Sequence, residues 1–162
     1  MMTTTLTTPI TSTLSEEQKS VTGTALQETV VDLIDLSLIA KQAHWNVVGA
    51  QFRSVHLELD VLVGTAREFT DAAAERATAI GVSPDGRAET VAKTARTSGF
   101  GEGWTKDADV VAAVVDNLKA VIAGLRERIE TTASTDPVTQ DLLIGFASKL
   151  EQLHWMWQAQ VA

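Results

Sequence analysis

The stretch AHWNVVGAQFRSVHLELD, residues 43–60, contains two of the three histidines of this chain. His44 and His56 are twelve positions apart, and Asp60 follows the second histidine by four residues. The segment from Asn46 to Gly49 is typical of a helix end, so the histidines belong to two consecutive helices. The stretch therefore predicts a helical hairpin in which His44 adds an imidazole to a site on the following helix.

Apolar residues recur at helical spacing on both sides of this hairpin. The sequence Ser15-Glu16-Glu17-Gln18 has the form of a capping box, which places the start of the first helix. Gly81 ends the second helix, and Pro137 lies in the first turn of the last one. The expected helices are residues 15–46, 52–80, a short piece at 87–95, a long one from Thr105 or Asp107, and one from Pro137 almost to the end.

This order of helices indicates the fold class. No strand is predicted, and the only long crossover lies between the second and third long helices, which is typical of a ferritin-like bundle. The sequence predicts an all-α ferritin-like four-helix bundle with a short extra helix in the crossover. Residues 15–162 form this domain, and the threonine-rich residues 1–14 form a loose tail.

The composition restricts both chemistry and partners. The chain has 162 residues, a net charge of −8 and no cysteine. Thiolate nucleophiles, disulfides and Cys-type metal sites are excluded, so any metal is bound by histidine, carboxylate, carbonyl or water. The acidic surface disfavours nucleic acid and anionic membranes. Neither a membrane-spanning run nor a signal peptide is recognisable, so we expect a cytoplasmic protein.

The second helix carries a polar stripe that points to metal chemistry. A charged stripe is usually only the solvated face of a helix, and that interpretation stays open. This stripe, however, contains a scarce histidine and three carboxylates, and its spacing reads the same in both directions. Its members are His56, Asp60, Gly64, Arg67, Asp71 and Glu75.

The two ends of the stripe are too far apart to form one site within a subunit. His56 and Asp71 are separated by roughly 22 Å along a helix. Two copies packed antiparallel about a two-fold axis near Gly64–Arg67 would instead bring His56 close to Glu75, and Asp60 close to Asp71, at two equivalent places. The stripe therefore predicts an intersubunit metal site.

A competing site involves Glu151-x-x-His154 on the last helix. Di-iron bundles use two such Glu-x-x-His motifs. The second motif would here read Arg53-Ser-Val-His56, and an arginine cannot bind a metal ion. We therefore interpret His154 as a packed or interfacial histidine.

Two segments resemble a known family. HWNVVGAQFRSVH–x3–D–x10–DAAAERATAIG, residues 44–81, resembles the second-helix signature of the Dps proteins, the dodecameric miniferritins. DLLIGFASKLEQLHWMWQAQ, residues 141–160, is similar to their last helix. The resemblance implies a homododecamer that oxidises Fe(II) with hydrogen peroxide or dioxygen and stores ferric oxide in its cavity. It places two iron ions in each centre at a two-fold interface, with His44, His56 and Asp60 from one subunit and Asp71 and Glu75 from the other.

The resemblance also suggests roles for one tryptophan and for two aspartates of the last helix. Trp45 is similar in position to a family tryptophan beside the iron centre, although an apolar filler at the interface is an equal interpretation. Asp136 and Asp141 match the lining of three-fold pores, while N-capping and a first-turn charge are the ordinary alternatives.

No Lys or Arg precedes Lys19 or follows Lys149. Direct coating of DNA is therefore not expected, and a nucleoid-compacting protein with little catalytic role is the alternative function.

Overall fold

The computed structural model describes residues 8–162, which fold into five helices and one pair of very short strands. α1 packs mainly on α2, α4 packs mainly on α5, and contacts between α1 and α4 join the two hairpins. The predicted all-α bundle with a short helix in its crossover is confirmed. The elements are α1 (Glu16–Asn46), β1 (Val47–Val48), α2 (Phe52–Ala79), α3 (Ala88–Thr94), β2 (Thr105–Lys106), α4 (Asp107–Thr132) and α5 (Pro137–Gln158).

The helix ends follow their local sequence signals. The Ser15 hydroxyl accepts a hydrogen bond from the Gln18 backbone N–H at 3.2 Å, and the Gln18 side chain accepts one from the Ser15 N–H at 2.9 Å. This reciprocal pair is the predicted capping box. Gly81, with a φ of 83°, follows the end of α2 in the left-handed region that glycine adopts without strain.

The predicted apolar stripes of α1 and α2 face the core. Leu26, Leu33 and Leu59 are completely buried, and each such side chain contributes about 1.5–3 kcal/mol of hydrophobic stabilisation. The rings of Phe69 and Phe146 stack with centroids 4.3 Å apart, which joins α2 to α5.

The prediction that the chain has no strand is wrong in one place. β1 pairs in parallel with β2, with Val47 opposite Thr105 and Val48 opposite Lys106. Backbone groups of two loops satisfy each other here, and a two-residue strand is too short to show an alternating pattern. The pair ties the turn of the first hairpin to the start of α4.

A buried ion pair joins α1 to α4, and the crossover is attached to it. Arg128 is 3% exposed, and its Nη2 lies 2.6 Å from Asp32 while its Nε lies 3.2 Å from Glu28. Asp32 also accepts a hydrogen bond from the backbone N–H of Arg96 at 2.8 Å. Gly124 leaves room for the guanidinium, since a Cβ there would lie 3.1 Å from Arg128 Nη2. We call Glu28, Asp32, Arg96 and Arg128 the crossover cluster.

The part of the predicted tail that the structure describes lies against the end of α2. Residues 8–14 contain no helix or strand, and the Thr8 hydroxyl donates to the Gly81 carbonyl at 3.3 Å. Residues 1–7 lie outside the described residues, so the tail at residues 1–14 stays a prediction. Within residues 8–162, no helix combines the length and apolar character required to cross a bilayer.

Candidate metal centre

The two histidines of the first hairpin lie face to face. Their ring centroids are 3.6 Å apart and their planes differ by 21°. His44 comes from the last turn of α1 and is buried, whereas His56 comes from the second turn of α2 and is partly exposed. The helical hairpin therefore brings together the imidazoles that the sequence pattern predicted.

Reciprocal hydrogen bonds orient both rings. Nδ1 of His44 lies 2.8 Å from the His56 carbonyl oxygen, and Nδ1 of His56 lies 2.9 Å from the His44 carbonyl oxygen. Because a carbonyl only accepts hydrogen bonds, each Nδ1 carries the proton and each Nε2 of a neutral ring keeps its lone pair. Such a bond on the nitrogen away from the metal is how proteins orient histidine ligands. In each ring, Nε2 is therefore the atom that could bind a metal ion.

Asp60 lies next to these rings but is held by a lysine. Its Oδ1 is 2.5 Å from Lys41 Nζ and 3.4 Å from His44 Nδ1. The hydrogen bond from Lys41 lowers the pKa of Asp60 below its usual value, and the neighbouring imidazoles act in the same direction. The carboxylate stays ionised at neutral pH. Both contacts involve Oδ1, so the second carboxylate oxygen, Oδ2, has no hydrogen bond or salt bridge among residues 8–162.

Asp71 and Glu75 lie farther along α2 and are exposed. Asp71 is about 17 Å from Asp60 along the helix axis. Neither carboxylate has a salt bridge within residues 8–162. In that same part of one chain, no three metal-binding side chains converge on a common point. A single subunit thus presents two separate sets of potential ligands. We call His44, His56, Asp60, Asp71 and Glu75 together the metal face.

Between the two sets, Gly64 leaves the surface of α2 open. A Cβ at this position would meet no atom within 4 Å, and the residue is exposed. Glycine inside a helix costs about 1 kcal/mol relative to alanine, and no contact within the subunit compensates for it among the described residues. An open mid-helix glycine of this kind permits another helix to approach closely.

Two aromatic residues flank the histidines. Trp45 is 63% exposed, and Lys41 Nζ lies 6.0 Å from its ring centroid. The ring centroid of Phe52 lies 5.0 Å from that of His56, with 33° between the planes. The predicted role of Trp45 beside iron stays a prediction, whereas Phe52 is a neighbour of the site that the sequence reasoning missed.

The competing Glu-x-x-His site is occupied by an ion pair. Glu151 lies 2.7 Å from Arg126 Nε and 2.6 Å from Arg126 Nη2. The imidazole of His154 is partly buried, and its Nε2 has no hydrogen-bond partner among residues 8–162. This arrangement agrees with the interpretation of His154 as a packed histidine.

Of the two predicted pore residues, one is buried. Asp136 is 3% exposed, accepts from the Val138 N–H at 3.3 Å, and lies 2.6 Å from Arg76 Nη2. Burial alone would raise its pKa, but hydrogen bonds from Arg76 and Thr139 outweigh it and hold the pKa below the usual value. Asp136 thus serves as the N-cap of α5. Asp141 is exposed, so of the two residues it is the one whose side chain is accessible for the predicted pore lining.

Three features of the site were missed by the sequence reasoning. Lys41 lies three residues before His44, and Phe52 lies four residues before His56. Residues at these spacings are neighbours on a helix, so the spacing was the signal that could have identified both residues. The third feature, the pair of carbonyl acceptors, belongs to the backbone and has no signal in the side chains.

Known proteins share this fold and this sequence. A family model described as a ferritin-like domain matches residues 23–162. The fine tangled pili major subunit of Haemophilus ducreyi is 35% identical over 85% of this chain and 72% of its own. The DNA protection during starvation protein of Mycolicibacterium smegmatis is 35% identical over 91% of this chain and 81% of its own.

A solved structure gives the same result in three dimensions. The Dps protein of Microbacterium arborescens in its high iron form has a TM-score of 0.88 and 29% sequence identity to this chain. The match covers 94% of this chain and 98% of that protein. The similarity therefore extends over nearly the whole fold, including the helices that carry the metal face.

Proposed function

Since this chain belongs to the Dps family of ferritin-like proteins, we propose that it is a ferroxidase and an iron store. Fe(II) is oxidised at centres between two subunits, and the ferric product is kept inside a shell of twelve subunits. Removing iron and peroxide together protects the cell and its DNA from oxidative damage. The family supports iron storage and DNA protection in general, and the residues of this chain support the finer assignments.

The reciprocal orientation of His44 and His56 is the observation that carries this proposal. Backbone carbonyls hold both Nδ1 groups, and neither Nε2 atom has a hydrogen-bond partner among residues 8–162, so both Nε2 lone pairs are available to metal ions. Imidazole nitrogen is a good ligand for Fe(II), and carboxylate oxygen favours the harder Fe(III). A mixed set of both ligand types therefore suits a site where iron changes its oxidation state.

The remaining ligands come from a second subunit. With the two-fold axis beside Gly64, where the surface of α2 is open, Asp71 and Glu75 of the partner face the histidines. An isologous interface repeats this arrangement, so each dimer has two centres. Each centre holds two iron ions as substrate.

The reaction transfers two electrons. Each of two Fe(II) ions loses one electron, the O–O bond of hydrogen peroxide is cleaved, and two protons complete two water molecules. The ionised Asp60, with its lowered pKa, offsets the positive charge that grows as iron is oxidised. Dioxygen is the alternative oxidant for the same centre.

A DNA-compacting function is the second candidate, because the relative from Mycolicibacterium smegmatis is named for DNA protection. The net charge of −8 weighs against it. A gel-shift assay at low salt tests it. Retarded DNA would favour this function, and free DNA would favour indirect protection through iron chemistry.

The ferroxidase proposal is tested by Fe(II) oxidation with hydrogen peroxide, followed by ferric absorbance. We expect rapid oxidation by the wild-type protein and a loss of the fast phase in the His44→Ala/His56→Ala variant. His154→Ala is the matched control, because it removes the third histidine and should retain the fast phase. If the double variant oxidises iron as fast as the wild type, the site assignment is wrong. Particle mass and iron content, measured together, test the twelve-subunit shell and its mineral.

A further inference from the structure

Phe52 stands beside the metal face without being part of the core. It is the first residue of α2, its side chain is 44% exposed, and it is four positions before His56. Residues separated by four positions on a helix are neighbours, and here the two rings are 5.0 Å apart at a tilt of 33°. Tilted and offset arrangements at this distance are the favourable geometry for aromatic pairs.

The backbone that carries Phe52 is firmly anchored. Its N–H donates to the Gly49 carbonyl at 3.2 Å, and the preceding Gln51 N–H donates to the Asp107 carboxylate of α4 at 2.6 Å. Gly49 has a φ of 136°, and a Cβ at this position would collide with Asp107 at 2.4 Å. The first turn of α2 is thus closed against α4. Phe52 therefore presents its ring from a fixed position.

His56 has fewer constraints than its partner ligand. His44 is buried at 8% exposure, whereas His56 is partly exposed and one hydrogen bond holds its Nδ1. A single hydrogen bond fixes the position of that nitrogen but leaves the ring plane free to rock about the bond. Contacts of the ring with His44 and Phe52 restrict this rocking, and with it the direction of Nε2.

From this geometry we propose that Phe52 is a positioning residue for the His56 ligand. The inference rests on the proposed metal site and adds a residue that acts through His56. Phe52 keeps the ring of His56 aligned on that of His44, so that the direction of the His56 Nε2 is set before a metal ion arrives. Preorganisation of this kind lowers the cost of ordering a ligand when the metal binds.

Cobalt(II) binding to the assembled protein tests this role, because Co(II) gives a visible absorption band without any oxidation step. We expect Phe52→Leu to bind Co(II) about fivefold more weakly than the wild type, in the range that the loss of an aromatic pair allows. Phe52→Tyr keeps the ring and should bind as the wild type does. Thermal unfolding and particle size should be unchanged in both variants.

Phe69→Leu is the matched control on the same helix. It removes a ring that stacks on Phe146 within the core, so it should lower the unfolding temperature and leave Co(II) affinity unchanged. If Phe52→Leu fails to assemble, Phe52→Met, which has similar volume and no ring, takes its place. The inference would be overturned if Phe52→Tyr and the leucine or methionine variant that assembles bound Co(II) equally tightly. It would also be overturned if neither Phe52→Leu nor Phe52→Met assembled.

The same titration separates this inference from the proposed function. If the wild-type protein binds no Co(II) and the His44→Ala/His56→Ala variant behaves identically, the metal site itself is wrong. If the wild-type protein binds Co(II) through the histidines while all Phe52 variants bind equally well, only the role of Phe52 is wrong.

Discussion

Charged side chains are used in opposite ways in the crossover cluster and on the metal face. Asp32 and Arg128 are 1% and 3% exposed, and each has its counter-charge within the chain. Asp71 and Glu75 are exposed, and neither has a salt bridge among residues 8–162. Charges that serve the fold are thus neutralised inside one subunit. The carboxylates of Asp71 and Glu75 stay available to another subunit and, on our proposal, to iron.

The largest effect is expected from breaking the crossover cluster. Arg128→Met leaves Asp32 buried without its cation, which should lower the free energy of unfolding by about 3–5 kcal/mol. Urea unfolding at neutral pH measures the loss. Arg126→Met is the control, because its ion pair with Glu151 is 65% and 37% exposed and contributes about 1 kcal/mol at most. Similar losses in both variants would remove the distinction between buried and exposed pairs.

Substitutions in the metal face should lower the rate of iron oxidation and leave the free energy of unfolding nearly unchanged. We expect Asp71→Asn/Glu75→Gln to unfold at nearly the same urea concentration as the wild type, because both side chains are exposed. Iron oxidation should slow by at least about a hundredfold, since even losing a group that only orients a ligand typically costs ten- to a hundredfold. A variant that unfolds early and oxidises iron normally would reverse the comparison.

Mixing two inactive variants sharpens this point. If each centre combines histidines of one subunit with carboxylates of its partner, co-expression of His44→Ala/His56→Ala with Asp71→Asn/Glu75→Gln regenerates intact centres. With random pairing about a quarter of the centres are intact, because half the dimers are mixed and each has one complete centre. Oxidation at about a quarter of the wild-type rate is expected. No recovery in mixed particles would place all ligands in one subunit.

The Arg76–Asp136 pair provides a pH-dependent form of the same contrast. The pKa of Asp136 is lower in the folded protein than in the unfolded chain. The ion pair therefore contributes fully to stability above the unfolded-state pKa of about 4, and this contribution is lost as the pH falls through the folded-state pKa. Arg76→Met should therefore cost about 2 kcal/mol at pH 7, as expected for losing a hydrogen bond to a charged group, and progressively less in acid. Urea unfolding at several pH values measures this, and a cost independent of pH would contradict it.

The smallest effect is expected from replacing Lys41, the lysine that pairs with Asp60. The Lys41–Asp60 pair is partly exposed, and such a pair contributes about 0.2–1 kcal/mol. Because the positive charge of Lys41 lies beside Asp60 and repels an incoming cation, Lys41→Met should strengthen Co(II) binding by about twofold to fivefold. Lys19→Met is the control, since its partner Glu16 lies far from the site in sequence. Weaker Co(II) binding in the Lys41 variant would mean that the lysine supports the site.

Signals local to one helix were readable from the sequence. The Ser15 capping box, the position of Pro137 and the apolar stripes gave the helices to within a few residues. The imidazoles of His44 and His56 were placed correctly on the two helices of one hairpin, because a short turn leaves few alternative arrangements. Their metal binding, and the contribution of Asp71 and Glu75, stay predictions.

Contacts between elements were not readable. The partner of Asp60 is Lys41 on another helix, and that of Asp136 is Arg76, so both depend on how far each helix is rotated and shifted along its neighbour. The two-residue strands depend on where two loops happen to meet. A periodic pattern specifies which face of a helix is buried, but not which side chain it meets there.

The carbonyl acceptors of the two histidines have a consequence for how such a site tolerates change. Each ring is steered by the main chain of the other residue, and the main chain is retained when a side chain is replaced. Any amino acid at position 44 leaves an acceptor for the ring at position 56, and the converse also holds. The loss of one histidine thus leaves the other with its Nδ1 hydrogen bond and its tautomer, so the two ligands can be lost or regained one at a time.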